Sequence, residues 1–338
     1  MKLVTFQRGR SRPRAGALID GDRKILDLQA AHRLDRDRSS PMLASVLAMA
    51  QAGPDALDLA RALIRKRARL KDAIVAREGS ALLAPIPQPP QMRDFLCFEK
   101  HLLQAFATAR RVRAAGSPDP DAAIREMEAK GILAIPQAWY ERPMFYHPNR
   151  LNVVGDGTDI QWPAFSSMLD FELEFGCFIG QPGRDIPKEK ARDHIFGYTI
   201  FNDVSARDEQ MKEMPGQLGP GKGKDFDTGN GMGPWLVTRD ELGDPRTLTL
   251  SLHVNGKQVS ESSGAGMVWT FPEMLSYLSL GQTVLPGQVI SGGCYAGGSA
   301  MDLGLVLAPG DRIEFRISRI GSLRCTIGQP PARPWQPR

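Results

Sequence analysis

Acidic side chains stand at the edges of apolar runs at three well-separated points of this chain. Asp94 opens DFLCF, which leads to Glu99, Lys100 and His101. Glu172 and Glu174 lie inside LDFELEFGCFIG, and Asp203 closes GYTIFND, just ahead of VSARDEQ. A cluster of such oxygens suits a hard divalent cation, Mg²⁺, Mn²⁺ or Ca²⁺, which prefers carboxylate and water ligands. Zinc wants nearby His or Cys, and the spacing offers neither. The alternation in DFELEF predicts a strand with Phe171, Leu173 and Phe175 on one face and Glu172 and Glu174 on the other. On a wet face that pair is ordinary solvated charge. On a buried face, something positive must sit between the carboxylates.

Other elements must carry these residues. Residues 1–83 read as a small α+β unit, with MKLVTF and GALID-GD-RKILDL as short strands around a Gly-Asp turn. Helices are expected near Met42–Ala52 and Asp55–Glu78. The proline-rich segment 84–91 can be neither helix nor central strand and reads as a linker. From 92 to 328, short apolar runs separated by Gly, Pro and Asn predict a mostly β, twisted sheet assembly. Asn255-Gly256 marks a hairpin, and TVLPGQVIS and LVLAPGDRIEFRI each read as strand, Pro-Gly, strand. Helices are expected at Lys100–Ala115, Pro120–Lys130, Lys188–His194 and Phe271–Leu278, with Ser117 or Asp119 capping the second. The tail, 329–338, reads as loose.

The chain's 338 residues allow one large domain and a small one, and 42% hydrophobic with 24% charged residues is ordinary globular composition. No run of about 18 apolar residues occurs, so no membrane span is expected. The net charge of +5 invites a nucleic-acid reading, but the basic run ALIRKRARLKDAIVAR has helical periodicity and reads as a solvated helix face without aromatic interleaving. No nucleic-acid partner is expected. The segment GPGKGKDF lacks the G-x-x-x-x-G-K-[ST] pattern of a phosphate loop. Four cysteines, Cys97, Cys177, Cys294 and Cys325, are scattered without C-x-x-C spacing, which argues against a zinc site or disulfide framework and for a reducing cytoplasm.

Taken in order, Asp94-Phe95 through His101, DFELEFGCFIG, GYTIFNDVSARDEQ and LGPGKGKDFDTGNGMGPW resemble the fumarylacetoacetate hydrolase family over most of residues 92–325. The resemblance implies an α+β fold: a mixed β-roll or β-sandwich catalytic domain behind a smaller N-terminal domain, usually as a homodimer. It implies metal ligands at Asp94, Glu172, Glu174 and Asp203, with Thr228 supporting the metal, and a general base at His101. It further implies Lys224, Arg110, Tyr146 and Gln210 near the substrate or its oxyanion, and a helical lid over 101–136. The activity implied is Mg²⁺- (or Mn²⁺- or Ca²⁺-) dependent hydrolysis of a C–C bond in a β-diketone or acylpyruvate-type oxo acid. A metal-dependent decarboxylase or tautomerase of a 2-oxo dicarboxylate is the alternative, and a non-catalytic basic binding protein is a third reading.

Simpler roles remain open for several positions. Arg110 has Arg111 and Arg113 on the same helix, Tyr146 could be a core aromatic, and Arg207 with Asp208 could form a structural ion pair. His147 and His194 read as packed or exposed residues. The chain also departs from the family pattern twice. ISGGCYAGGSAMDLG carries Gly293 where family members commonly have a substrate-contacting Thr. The glutamate that partners the catalytic His in better-known members is matched by AMDLG, making Asp302 the candidate partner of His101.

Overall fold

The computed structural model describes residues 1–332. Strands β1 (Lys2–Gln7), β2 (Arg14–Ile19) and β3 (Lys24–Asp27) form an antiparallel meander. Asp20, Gly21 and Asp22 turn β2 into β3 with positive φ. The Asp27 carboxylate accepts from the Ala30 N–H and so caps α1 (Leu28–Arg36). Helices α2 (Val46–Ala52) and α3 (Pro54–Arg65) follow, then β4 (Ile74–Ala76) and β5 (Ala81–Leu83).

Beyond 84–91, which holds no helix or strand, come β6 (Met92–Phe95), α4 (Glu99–Ala114), α5 (Pro120–Ala129), α6 (Gln137–Glu141) and β7 (Phe145–Tyr146). Next are β8 (Val153–Val154), β9 (Thr158–Ile160), β10 (Leu169–Asp170), β11 (Leu173–Ile179) and α7 (Lys188–Ala191). They lead into β12 (Ile195–Asp203), β13 (Ser205–Ala206), α8 (Arg207–Glu213), β14 (Asn230–Thr238) and α9 (Arg239–Leu242). The last elements are β15 (Thr249–Val254), β16 (Lys257–Ser263), α10 (Phe271–Leu278), β17 (Val289–Ser291), α11 (Ala300–Leu303), β18 (Arg312–Ile317) and β19 (Gly321–Ile327).

Twelve strands share one large sheet, along the path β4-β3-β2-β1-β14-β12-β11-β17-β6-β7, with β5 on β1 and β8 on β14. The seam between the N-terminal strands and the rest is antiparallel, Lys2 facing Val237 and Leu3 facing Leu236. A second sheet of five strands runs β16-β15-β18-β19-β9. Alternation along β11 and β12 sends side chains to two cores. Phe178, Phe196 and Phe201 pack with Leu28, Ala31, Met49 and Ala60 of the N-terminal helices. Phe175, Tyr198 and Ile200 join Leu250, Leu252, Ile313 and Phe315 of the second sheet. Each fully buried side chain of this size contributes roughly 1.5–3 kcal/mol. The central strands therefore carry apolar load on both faces, which is why every residue of β11 and β12 is buried.

Several local expectations change. DFELEF is not one continuous strand: β10 pairs with β13, the chain breaks at Phe171-Glu172, and β11 resumes at Leu173. The helix expected to run to Glu78 ends at Arg65, because Ile74 and Val75 are drawn into pairing with β3. Helix α1 was not foreseen, although Asp27 before LQAAHRL is a capping signal. Neither Leu285 nor Leu305–Ala308 forms a strand ahead of its Pro-Gly; Val284 makes an isolated bridge to Gly183, and the strands β17 and β18 form after the turns. The Asn255-Gly256 hairpin is present with both residues at positive φ, Phe271–Leu278 is a helix between those bounds, and Asp119 caps α5. All four cysteines are free and buried. No described helix is long and apolar enough to cross a membrane. Of the tail read as loose, 333–338 lie outside the described residues.

Candidate metal and active site

The sheet order brings the chemistry together. On adjacent strands, Asp203 ends β12, Glu174 lies near the start of β11, Ser291 ends β17 and Asp94 sits in β6. Asp94 faces Ser291 on one side and Tyr146 of β7 on the other. One ligand atom each from Asp94, Glu174 and Asp203 falls within 4.8 Å of the other two, and all three residues are buried. Asp94 Oδ1, Glu174 Oε1 and Asp203 Oδ1 have no hydrogen-bond partner among the described residues. Burial pushes all three carboxyls above the usual carboxylate range, and repulsion by neighbouring carboxylates adds to it. Orphaned, crowded acidic oxygens are costly in a protein interior unless protonated or bound to a cation. Their hard-oxygen chemistry fits a divalent metal.

Donors hold the remaining oxygens of two of these residues. Asp203 Oδ2 accepts from Lys224 Nζ at 2.5 Å and from the Tyr146 hydroxyl at 2.8 Å. Glu174 Oε2 accepts from Ser291 Oγ. Such partners orient metal-binding carboxylates.

Glu172 lies beside this trio and faces cations instead. Its Oε1 accepts from Arg207 Nη2 at 2.7 Å and its Oε2 from Lys224 at 2.5 Å. Burial alone would raise its pKa, but Arg207, then Lys224, outweigh that and hold it well below the usual range. Burial likewise works against the Lys224 ammonium, and Asp203 and Glu172 more than offset it. Lys224 thus bridges Glu172 and Asp203, and the positive group expected between Glu172 and Glu174 lies between a different pair of carboxylates.

His101 enters from the first turn of α4. Its Nδ1 lies 2.9 Å from Asp302 Oδ2, and its Nε2 lies 3.7 Å from Glu172 Oε1. Asp302 is held in turn by the Gly297 N–H at 3.0 Å, and its own N–H is capped by Ser299. Helix α11, which carries Asp302, is tied to Arg207 and so to Glu172 through Asp170. That carboxylate accepts from the Ala300 and Met301 N–H groups and from Arg207 Nε at 2.7 Å.

The other expected site residues fall in different surroundings. Gln210 Oε1 accepts from Arg207 Nη1 at 3.0 Å. Arg110 donates to the Leu133 carbonyl at 3.0 Å and pairs with Glu128 at 3.3 Å, bracing the 101–136 segment internally. Thr228 Oγ1 accepts from the Gln161 N–H, with its backbone at φ 64°. Arg207 does not pair with Asp208, whose carboxylate accepts from Ser166 and Ser167 instead. Sequence reasoning missed Asp170, Ser291 and the role of Arg207. A signal existed for Arg207 only, since adjacent helical residues point apart and cannot easily pair. Gly293 has φ 79°, and a Cβ there would lie 2.5 Å from the Phe95 carbonyl oxygen, so the turn has no room for the Thr of the family pattern.

A model of the fumarylacetoacetate (FAA) hydrolase C-terminal domain matches residues 116–328. The chain is 32% identical to the oxaloacetate tautomerase YisK of Bacillus subtilis (strain 168) over 320 residues, 93% of this chain and 95% of that protein. In fold it is similar to a fumarylacetoacetate hydrolase from the psychrophile Exiguobacterium antarcticum, with TM-score 0.69, 24% identity and coverage of 97% and 99% of the two chains. It is equally similar to the maleylpyruvate hydrolase of Sphingobium sp. SYK-6 in complex with manganese(II) and pyruvate, with TM-score 0.69, 22% identity and coverage of 98% and 100%. The chain belongs to the fumarylacetoacetate hydrolase family.

Proposed function

We propose that this chain is a divalent-metal-dependent hydrolase that breaks a C–C bond in an acylpyruvate-type substrate, a 1,3-diketone bearing a carboxylate. The observation that carries this reading is the buried His101–Asp302 pair at 2.9 Å, placed beside a cluster of orphaned carboxylate oxygens. Asp94, Glu174 and Asp203, with Glu172 alongside, would hold a dication, which would supply Lewis-acid polarisation of a bound 2-oxo acid. Asp302 keeps the proton of the neutral imidazole on Nδ1, which leaves the Nε2 lone pair to accept one. His101 takes a proton from water as the hydroxyl adds to the acyl carbonyl carbon. The C–C bond then breaks, its electron pair stays on the carbon next to the retained ketone, and the imidazolium returns a proton there. The products are a carboxylic acid and a smaller 2-oxo acid. The Lys224 ammonium favours the negative charge that develops on oxygen.

One observation favours a second reading, tautomerisation or decarboxylation of a 2-oxo dicarboxylate. The relative aligned over 95% of its length is named an oxaloacetate tautomerase. Neither reaction needs activated water.

The test is a panel of acylpyruvates, fumarylpyruvate, fumarylacetoacetate and oxaloacetate with Mg²⁺ or Mn²⁺, run in ¹⁸O-water. Hydrolysis places one heavy oxygen in the acid product and collapses in His101→Ala. Turnover of oxaloacetate alone, without label in an acid product, refutes the hydrolase and favours the second reading. Inertness toward every compound refutes both.

A further inference from the structure

A different donor set adjoins the carboxylate cluster. His101, Glu172 and Cys294 each present a ligand atom within 4.8 Å of the other two, and all three are buried. They come from α4, the break between β10 and β11, and the turn before α11. Nitrogen, oxygen and sulfur together suit a borderline cation such as Zn²⁺ or Co²⁺ far better than Mg²⁺. Spacing along the chain hides this set, because its members meet only in the fold.

The surroundings are arranged for metal binding. Asp302 occupies Nδ1 of His101 and leaves Nε2 directed at Glu172 Oε1, 3.7 Å away. Metal-ligating imidazoles are almost always held by such a carboxylate or carbonyl on the other nitrogen. Arg207 uses one lone pair of Glu172 Oε1, and a carboxylate oxygen has two. Among the described residues, Cys294 Sγ makes a single hydrogen bond, donated to the Tyr295 carbonyl oxygen at 3.4 Å. One thiolate and the Glu172 carboxylate offset the charge of a dication, while Asp170 pairs with Arg207 and Asp203 with Lys224.

We propose that this chain has a second metal site, for a borderline dication of the zinc class, formed by His101 Nε2, a Glu172 oxygen and Cys294 Sγ, with water as the fourth ligand. Binding releases the thiol proton to solvent as the sulfur–metal bond forms. An ion there occupies the nitrogen lone pair that accepts the proton in the proposed reaction. Zinc-class ions therefore inhibit where hard cations support turnover. That consequence rests on the proposed role of His101; the binding itself does not.

Co²⁺ is the probe. Metal-free full-length protein is supplied with excess Mg²⁺, titrated with Co²⁺ and read for the thiolate-to-cobalt charge-transfer band in the near ultraviolet. The wild type should develop the band to one equivalent, and Zn²⁺ should displace it. Cys294→Ser should lack the band yet still bind Mg²⁺ by calorimetry, and Asp302→Asn should weaken Co²⁺ binding about 10–100-fold. If the serine variant fails to fold by circular dichroism, Cys294→Ala carries the same test. A wild type without the band at saturating Co²⁺ overturns the proposal. So does a band that survives loss of Cys294, since Cys97, Cys177 and Cys325 are also free. No substrate is used, so the result is independent of whether the proposed reaction holds.

Discussion

Asp170 is 2% exposed, and both its oxygens are fully engaged. Oδ1 accepts from the N–H groups of Phe171 and Ala300, and Oδ2 from Arg207 Nε and the Met301 N–H. Asp170→Asn keeps the shape and changes one oxygen into a donor. Either orientation of the amide sets its NH₂ against two existing donors, so no rotamer restores the network. Removing one partner of a buried ion pair costs about 3–5 kcal/mol, and an unsatisfied buried N–H about 1–3 kcal/mol. The two overlap here, giving an expected loss of about 4 kcal/mol, a large part of the roughly 5–15 kcal/mol available to a typical domain. Loosening the start of α11 also lets Asp302 drift from His101, so kcat should fall at least about tenfold, or 1.4 kcal/mol in the barrier, with KM little changed. Urea unfolding and steady-state kinetics on the variant measure both. A loss below about 1 kcal/mol with kcat intact would refute the claim that Asp170 couples α11 to Arg207.

Metal-free protein should lose stability as the pH rises above the ordinary carboxylate range. Folded Asp94, Glu174 and Asp203 hold protons that the unfolded chain has already released, so stability falls by up to about 1.4 kcal/mol per pH unit per group. Glu172, shifted the other way, matters only on the acid side. Thermal melts between pH 4 and 8 should show this decline with chelator and its abolition by Mg²⁺; a rise with pH under chelation contradicts it. Glu174→Gln removes the cost of keeping one crowded carboxyl protonated above the ordinary carboxylate range, so it should stabilise the metal-free protein by about 1 kcal/mol while weakening Mg²⁺ binding, a trade typical of functional sites. Equal destabilisation with and without metal would count against the cluster. Gly293→Thr should cost about 2–4 kcal/mol, because backbone strain and overpacking act together, and an unchanged melting curve would show that the turn can yield.

The parts of this molecule legible in the sequence are those fixed by local rules. The Asn255-Gly256 hairpin, the helix Phe271–Leu278, and Asp203 at the end of an apolar strand all follow from period and turn chemistry. Residues whose partners are chosen by the tertiary fold were not legible. Arg207 has an acidic neighbour at 208, yet its guanidinium reaches Asp170 and Glu172 on another element. Ser291 looks unremarkable in VISGG, and only the β11–β17–β6 order sets it between Glu174 and Asp94. Ile74 and Val75 fit a helix face by periodicity, but a free edge of β3 recruits them.

The seam of β1 against β14 bears on how relatives of this protein can exchange parts. Asn230, at the other end of β14 from that seam, faces Asp203. A chimaera spliced at the proline-rich linker would lay a foreign first strand along β14, and the mismatch would be felt one strand away from the acidic cluster. Viable shuffling should therefore cut elsewhere, or move the opening meander together with the strand that receives it.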